Sequence, residues 1–419
     1  MKCKGGPNAF VASLSKLIAR ITSAAIGTNQ ACPRGPDVRF TSTSNDFIRR
    51  ELLKSSGLIV GAGVLAQQLV FAEVSKPTPS SKTESLIRLS LNENPYGPSP
   101  NVAHALQLEF DRLSRYADLP LAGQLAEQIA EYEHIPVEQV VLGEILDLLG
   151  LFLGSSGGPG GQFLYSTPGY LALIDAAARV GGVGVPVSLN AQYQNDLVAL
   201  KSKVNAKTRA IYLVNPHNPT GTINDDESFK GFLRETSRSA VVVVDEAYLE
   251  YTSDFDTRTS ASLVRDGANV VVFRTFDKIH GLAGMPIGYV LAPRSLADAL
   301  RKQGAGGAEG LGRLNLVAAS AALADTAQVV STREAVAKER ALWLSVLREL
   351  NLPHIDSRAN FLFFDVGRPQ PIVAAAMRER GVDIGRAHPP YTNWARITIG
   401  LPSENLRAQN ALRSSLAET

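Results

Sequence analysis

Three short apolar runs in this sequence each end on residues equipped for chemistry. Ala210–Val214 runs into Asn215-Pro216-His217-Asn218-Pro219-Thr220-Gly221, Val241–Val244 into Asp245-Glu246-Ala247-Tyr248, and Val270–Phe273 into Arg274-Thr275-Phe276-Asp277-Lys278. An amide, a carboxylate, a phenol and an amine therefore follow three successive runs of strand length. A lysine amine can bond a carbonyl carbon and later carry a proton. A carboxylate can keep a pyridine nitrogen protonated, while an amide and a phenol can hydrogen-bond a ring oxygen. A pyridoxal cofactor needs such a set. Singly, each member has an ordinary reading: the Asn-Pro segment as a turn, Asp245-Glu246 as a solvated pair, Lys278 as a surface lysine. The conjunction carries the assignment.

The runs need elements that bring their ends together. Phe163–Tyr165, Ala210–Val214, Ala240–Val244, Val270–Phe273 and Tyr289–Ala292 are strand-length, apolar and without clean alternation, as in strands buried on both faces. Between them, Tyr170–Val180, Asp225–Thr236 and Ser295–Gln303 read as helices. Such alternation predicts a mostly parallel sheet covered by helices, with ligands beyond the carboxyl ends of the strands. After about residue 307 a long helical stretch, Gly312–Leu350, precedes Phe361–Val366, a further helix and Ala395–Ile399. The expected organisation is an arm and part of a small domain over 85–115, a large cofactor-binding domain over 116–306, and a small α+β domain over 307–419. Gly154–Gly161 reads as a single loop, and there is no internal repeat.

With 419 residues, 45% hydrophobic and 20% charged, the chain has room for one large or two medium domains. Its formal net charge of +2 argues against nucleic-acid binding, and it hides an asymmetry. Residues 1–54 carry nine Lys/Arg against three acids, a net +6, so the remainder is net −4. Both cysteines, Cys3 and Cys32, also lie in this segment, leaving the body without a disulfide or a Cys-based metal site. Ile48-Arg49-Arg50-Glu51-Leu52-Leu53-Lys54, the uncharged Ser55–Ala72 and the small-residue site Val70-Phe71-Ala72 resemble a twin-arginine export signal. The expectation is an export signal and leader over 1–72, a polar linker over 73–84, passage through the twin-arginine translocase, and a periplasmic protein. If the signal does not function, the protein is cytoplasmic. Cleavage after Ala72 leaves 347 residues.

Over roughly residues 86–415 the motifs resemble, in kind and order, the class I/II pyridoxal-phosphate-dependent aminotransferases, histidinol-phosphate aminotransferase in particular. The resemblance implies the aspartate-aminotransferase-like fold (fold type I), an α/β large domain plus a smaller α+β domain, pyridoxal 5′-phosphate and a homodimer. Asn92-Glu93-Asn94-Pro95-Tyr96-Gly97-Pro98-Ser99-Pro100 is similar to the family's N-terminal arm, which places Tyr96 over the substrate. Arg115-Tyr116 matches the segment whose tyrosine reaches the neighbouring subunit's cofactor phosphate, and Thr167-Pro168-Gly169-Tyr170 the turn whose ring stacks on the pyridine. Asn218 and Tyr248 match the ring-oxygen positions, Asp245 the ring-nitrogen position and Lys278 the Schiff-base position. Arg396, in Trp394-Ala395-Arg396-Ile397-Thr398, matches the bidentate clamp on the substrate carboxylate, and Arg386 a second basic position near the substrate.

Three features depart from that pattern. The family's phosphate-binding Gly-x-Gly-Ser-Asp-Glu turn is shortened to Leu142-Gly143-Glu144-Ile145, the hydroxyl residue before the lysine is Asp277, and the arginine eight positions after it is Pro286. A carboxylate at 277 repels a phosphate dianion unless a cation pairs with it, and Arg274, His280 and Tyr116 are the nearby candidates for rebuilding the cup. The expected activity is transfer of an amino group between an amino acid or amino-phosphate-like donor and a 2-oxo acid. The rivals are pyridoxal-dependent elimination, racemisation or decarboxylation, and a cofactor-poor binding protein on the same scaffold.

Overall fold

Valine-rich runs bounded by turns become the strands of one sheet in the computed structural model, which describes residues 86–417. The expected leader, export signal and linker lie outside the described residues. Eleven strands are described: β1 (Ile87–Leu89), β2 (Val140–Leu142), β3 (Gln162–Thr167), β4 (Val183–Ser188), β5 (Thr208–Val214), β6 (Val241–Asp245), β7 (Val270–Thr275), β8 (Gly288–Leu291), β9 (Phe361–Asp365), β10 (Val382–Ile384) and β11 (Trp394–Thr398). Seven form the main sheet, in the order β2-β8-β7-β6-β5-β3-β4. Every pairing in it is parallel except the two that β8 makes with β2 and β7.

Successive side chains of these strands enter opposite cores, because a strand has a period of two. Ile211, Leu213, Val242, Val244, Val270 and Val272 pack on one face with the helix Leu119–Tyr132. Tyr212, Val214, Val243, Val271 and Phe273 pack on the other with the helices Leu146–Ser155 and Ala172–Arg179. The runs therefore show no alternation in sequence. The two main-sheet strands not expected from sequence had weak local signals. β2 has three residues, and β4 is a largely exposed edge strand that carries Pro186.

The expected helical stretch Gly312–Leu350 is two helices, Arg313–Ala324 and Thr326–Glu349, bent by 77° at Asp325. Asp325 breaks the run because its side chain accepts from the amide of Gln328 and so caps the second helix. Ser99, which caps the helix Pro100–Glu109 through Asn101, donates to the same carboxylate. The first helix of the pair joins the core under the main sheet through Leu316, Ala318, Ala319 and Ala322. A third core, with Trp343, Leu362, Phe364, Met377, Val382 and Ile397, lies among β9–β11, which pair antiparallel, β1–β10, which pair parallel, and the flanking helices.

Candidate active site

The carboxyl ends of β3, β5, β6 and β7 open onto one cavity of about 330 Å³. β4 and β5 lie on opposite sides of β3, so the strand order reverses there and a crevice is expected at that edge. Asn218, Asp245, Tyr248, Lys278, Tyr170, Arg386 and Arg396 all line it.

Asp245 is the last residue of β6 and is 3% exposed. Its Oδ2 accepts from the Tyr212 hydroxyl at 2.8 Å and its Oδ1 from the amide of Ala247 at 3.0 Å. Burial pushes the carboxyl up to about 6, against those two donors and the Lys278 charge, which favour ionisation. Tyr212 was not legible as a site residue, although a tyrosine inside a wholly buried run must find a partner for its hydroxyl. Glu246 is not a solvated neighbour. It is 2% exposed and holds Arg274 at 3.0 Å.

Tyr248 Oη lies 3.1 Å from Asn92 Nδ2 and 3.4 Å from Asn218 Nδ2. Both amides donate to it, which leaves the phenol proton free to point into the cavity. Asn218 is turned that way because its Oδ1 accepts from Arg396 Nη1 at 2.7 Å. Arg396 Nη2 donates to the carbonyl of Ser90 at 2.8 Å, and its Nε is buried with no partner among the described residues. Two nitrogens of the expected clamp therefore already hold protein, and Nε is shut away beside Gly385.

The arm is pinned over this site. Asn92, in the left-handed region at φ 56°, donates its amide to Thr398 Oγ1 at 2.9 Å, and Asn360 Nδ2 donates to its carbonyl at 3.1 Å. Asn94 Nδ2 donates to Ile279 O at 2.8 Å, one residue beyond Lys278. Gly281 presses the same loop on the arm: at φ 74°, a Cβ there would lie 2.5 Å from the carbonyl carbon of Gly97. Asn92 belongs to the motif that singled out Tyr96, and its own role emerged only from these contacts.

One expected site residue lies elsewhere: Tyr96 packs on the cluster of Tyr251, Phe361 and Val336, outside the cavity lining. Tyr116, expected at the neighbouring subunit's cofactor, is 83% exposed, and its carbonyl accepts from Arg313. Arg274 and His280 do not rebuild the phosphate cup either. Arg274 is buried against Glu246, Glu133 and Thr259, with its guanidinium 4.4 Å over the Phe255 ring, and His280 pairs with Glu250 at 3.2 Å.

His388 was missed for lack of any motif. It lines the cavity with Nε2 buried and unpartnered, edge-on to Phe363. Burial, then the charges of Arg396 and Arg386, push it down to about 3, so it offers a neutral imidazole. Glu144 and Asp277 also line the cavity. Glu144 still reaches solvent through the mouth, yet the protein around it and the charges of Asp277 and Asp245 push it up to about 7. Burial raises Asp277 as well, and Lys278 opposes this.

The donors fit a pyridoxal ring at every expected atom: an amine, a buried acid for the ring nitrogen, an amide and a phenol for the ring oxygen, and Tyr170 beside them. At two positions that hold the phosphate in the family pattern, the cavity is lined by Glu144 and Asp277 instead.

The family model described as Aminotransferase class I and II matches residues 84–410. The histidinol-phosphate aminotransferase of Moorella thermoacetica is 33% identical over 338 residues, 80% of this chain and 86% of that protein. The aromatic amino acid aminotransferase of Thermobifida fusca is 32% identical over 319 residues, 76% of this chain and 87% of that protein. Among solved structures, histidinol-phosphate aminotransferase from Sinorhizobium meliloti in complex with pyridoxal-5′-phosphate matches with a TM-score of 0.72 at 28% identity, covering 80% of this chain and 92% of that one.

Proposed function

The chain belongs to the class I and II aminotransferases, and from that premise we propose how its own residues move an amino group and where they do so. It is a pyridoxal-phosphate-dependent aminotransferase with the aspartate-aminotransferase-like fold. When bound, the cofactor supplies the carbon that carries the amino group and a ring that takes up the electron pair from the substrate Cα.

Lys278 Nζ would hold the cofactor covalently and, once released, would lift the proton from the substrate Cα. Asp245, held by Tyr212 and Ala247, would keep the ring nitrogen protonated. Asn218 and Tyr248 would bind the ring oxygen, Tyr170 would cover the ring, and Arg396 would take the substrate carboxylate. The observation that carries this reading is the convergence of Lys278, Asp245, Asn218 and Tyr248 on one cavity. The donor is an amino acid or amino-phosphate-like molecule and the acceptor a 2-oxo acid, with Arg386 available to a second acid group. Purified enzyme should exchange amino groups only when a 2-oxo acid is supplied, and Lys278→Ala should abolish this. Turnover of an amino acid without an acceptor would favour elimination, racemisation or decarboxylation.

Two further readings belong here. The protein is a homodimer, supported by the exposed apolar run Leu108, Phe110, Leu113, Tyr116 and Leu119. A second subunit that covers this run brings Tyr116 toward its neighbour's cofactor. The protein is also exported folded through the twin-arginine translocase to the periplasm, supported by the Arg49-Arg50 pair and the uncharged stretch after it. Replacing both arginines with lysine should hold the enzyme in the cytoplasm, and unchanged periplasmic recovery would remove that reading.

A further inference from the structure

An acid wall closes one part of the cavity. Glu144 leaves β2 and Asp277 follows β7, and only β8 lies between those strands in the sheet. The turn is tight: Gly143 N donates to Gly288 O at 2.8 Å, and a Cβ on Gly288 would stand 3.4 Å from Glu144 Oε1. Asp277 Oδ1 is buried and has no hydrogen-bond partner among the described residues.

The helix Leu146–Ser155 begins at this wall with no side-chain cap. A helix N-terminus favours an anion, but here Glu144 stands just before it and Asp147 in its first turn. Among the described residues, the one cation whose charge acts on both Glu144 and Asp277 is Lys278. Arg396 is tied to Asn218 and Ser90, and Arg274 is buried in its own ion cluster.

We propose that Glu144 and Asp277 make this site accept the cofactor's end as a hydroxymethyl group nearly as well as a phosphate ester, so that unphosphorylated pyridoxal is a second cofactor form for this enzyme. The inference rests on the reading of Lys278 as the covalent anchor. A phosphate dianion set against two carboxylates is repelled. A hydroxymethyl group carries no charge for the wall to repel, and its hydroxyl can donate to a carboxylate that lines the cavity. Burial raises the proton affinity of both carboxyls, and for Glu144 the charges of Asp277 and Asp245 add to it.

The test is a titration of the apo-enzyme dimer at pH 8 with pyridoxal and with pyridoxal phosphate, read by the absorbance of the adduct on Lys278. The parent should prefer the phosphate form by no more than roughly tenfold, about 1.4 kcal/mol. The near-isosteric pair Glu144→Gln and Asp277→Asn should raise that preference at least about tenfold, chiefly by tightening the phosphate form. Each single variant should move it the same way by less. A parent that already prefers the phosphate by about a thousandfold, or variants that shift both aldehydes equally, would overturn the acid-wall proposal while leaving Lys278 as the anchor. Failure of both aldehydes to add to Lys278 would overturn the anchor reading and the proposal together.

Discussion

Arg396 joins two duties that are usually described apart. Its Nη1 orients Asn218, and the side chain lines the cavity where a substrate acid would bind. A lysine reproduces neither the fork nor the bond to Asn218. Arg396→Lys should therefore weaken amino-acid use by roughly ten- to a hundredfold, about 1.5–3 kcal/mol for charged hydrogen bonds. It should also shift the absorbance of bound cofactor, because Asn218 loses its hold. Steady-state kinetics and a pH-dependent spectrum check the two effects, and an unchanged spectrum would separate Asn218 from Arg396. Glu144 gives a second prediction at this scale. Its folded proton affinity is raised to about 7 from an ordinary 4.5. The fold thus binds a proton that the unfolded chain releases, and the contribution to stability is full below about pH 4.5 and lost as pH rises through about 7. Glu144→Gln should stabilise the apo-protein relative to the parent at pH 8 but not at pH 4.5, in denaturant melts at the two values. A gain of equal size at both would assign the effect to packing.

Among the elements, the loop after β7 has the most demanding position, because it presents Lys278 while packing on the arm. The Asn94 bond to Ile279 and the contact of Gly281 with Gly97 fix it. Gly281→Ala adds a side chain in a left-handed backbone, which costs about 1–2 kcal/mol. It also drives a Cβ into the arm's backbone, so the measured loss in urea unfolding should exceed that figure, and catalytic rate should fall with it. A loss below about 0.5 kcal/mol would mean that arm and loop part freely. Element type was largely legible because it is local. β5 through β8 were expected to within two residues, since buried runs flanked by turn residues carry their own signal. β2, β4 and the break at Asp325 were not. The first two depend on neighbours for their pairing, and the third is a cap hidden inside a continuous helical pattern.

For the whole molecule, the exposed side chains of Leu108, Phe110, Leu113, Tyr116 and Leu119 argue for a second copy over that face. Leu113→Asp should convert the protein to monomers in sedimentation and lower cofactor retention with it. A parent that is already monomeric and active would defeat the dimer reading. By itself the sequence determined the order of the chemical groups and the class of sheet that carries them. Short apolar runs and the residues that follow them are local facts, readable without folding the chain. Only the tertiary structure decided which atoms meet. Arg396 finds Asn218 across 178 residues, Asn92 finds Tyr248 across 156, and Tyr212 finds Asp245 across 33. It also withdrew Arg274 and His280 from the cavity: Arg274, a buried charge that must be paired, meets Glu246, and His280 meets Glu250, both inside the core. The acid wall opposite Lys278 follows from the same cause. Glu144 and Asp277 lie 133 positions apart in the chain, and only the antiparallel β8 between β2 and β7 brings them to one end of one cavity.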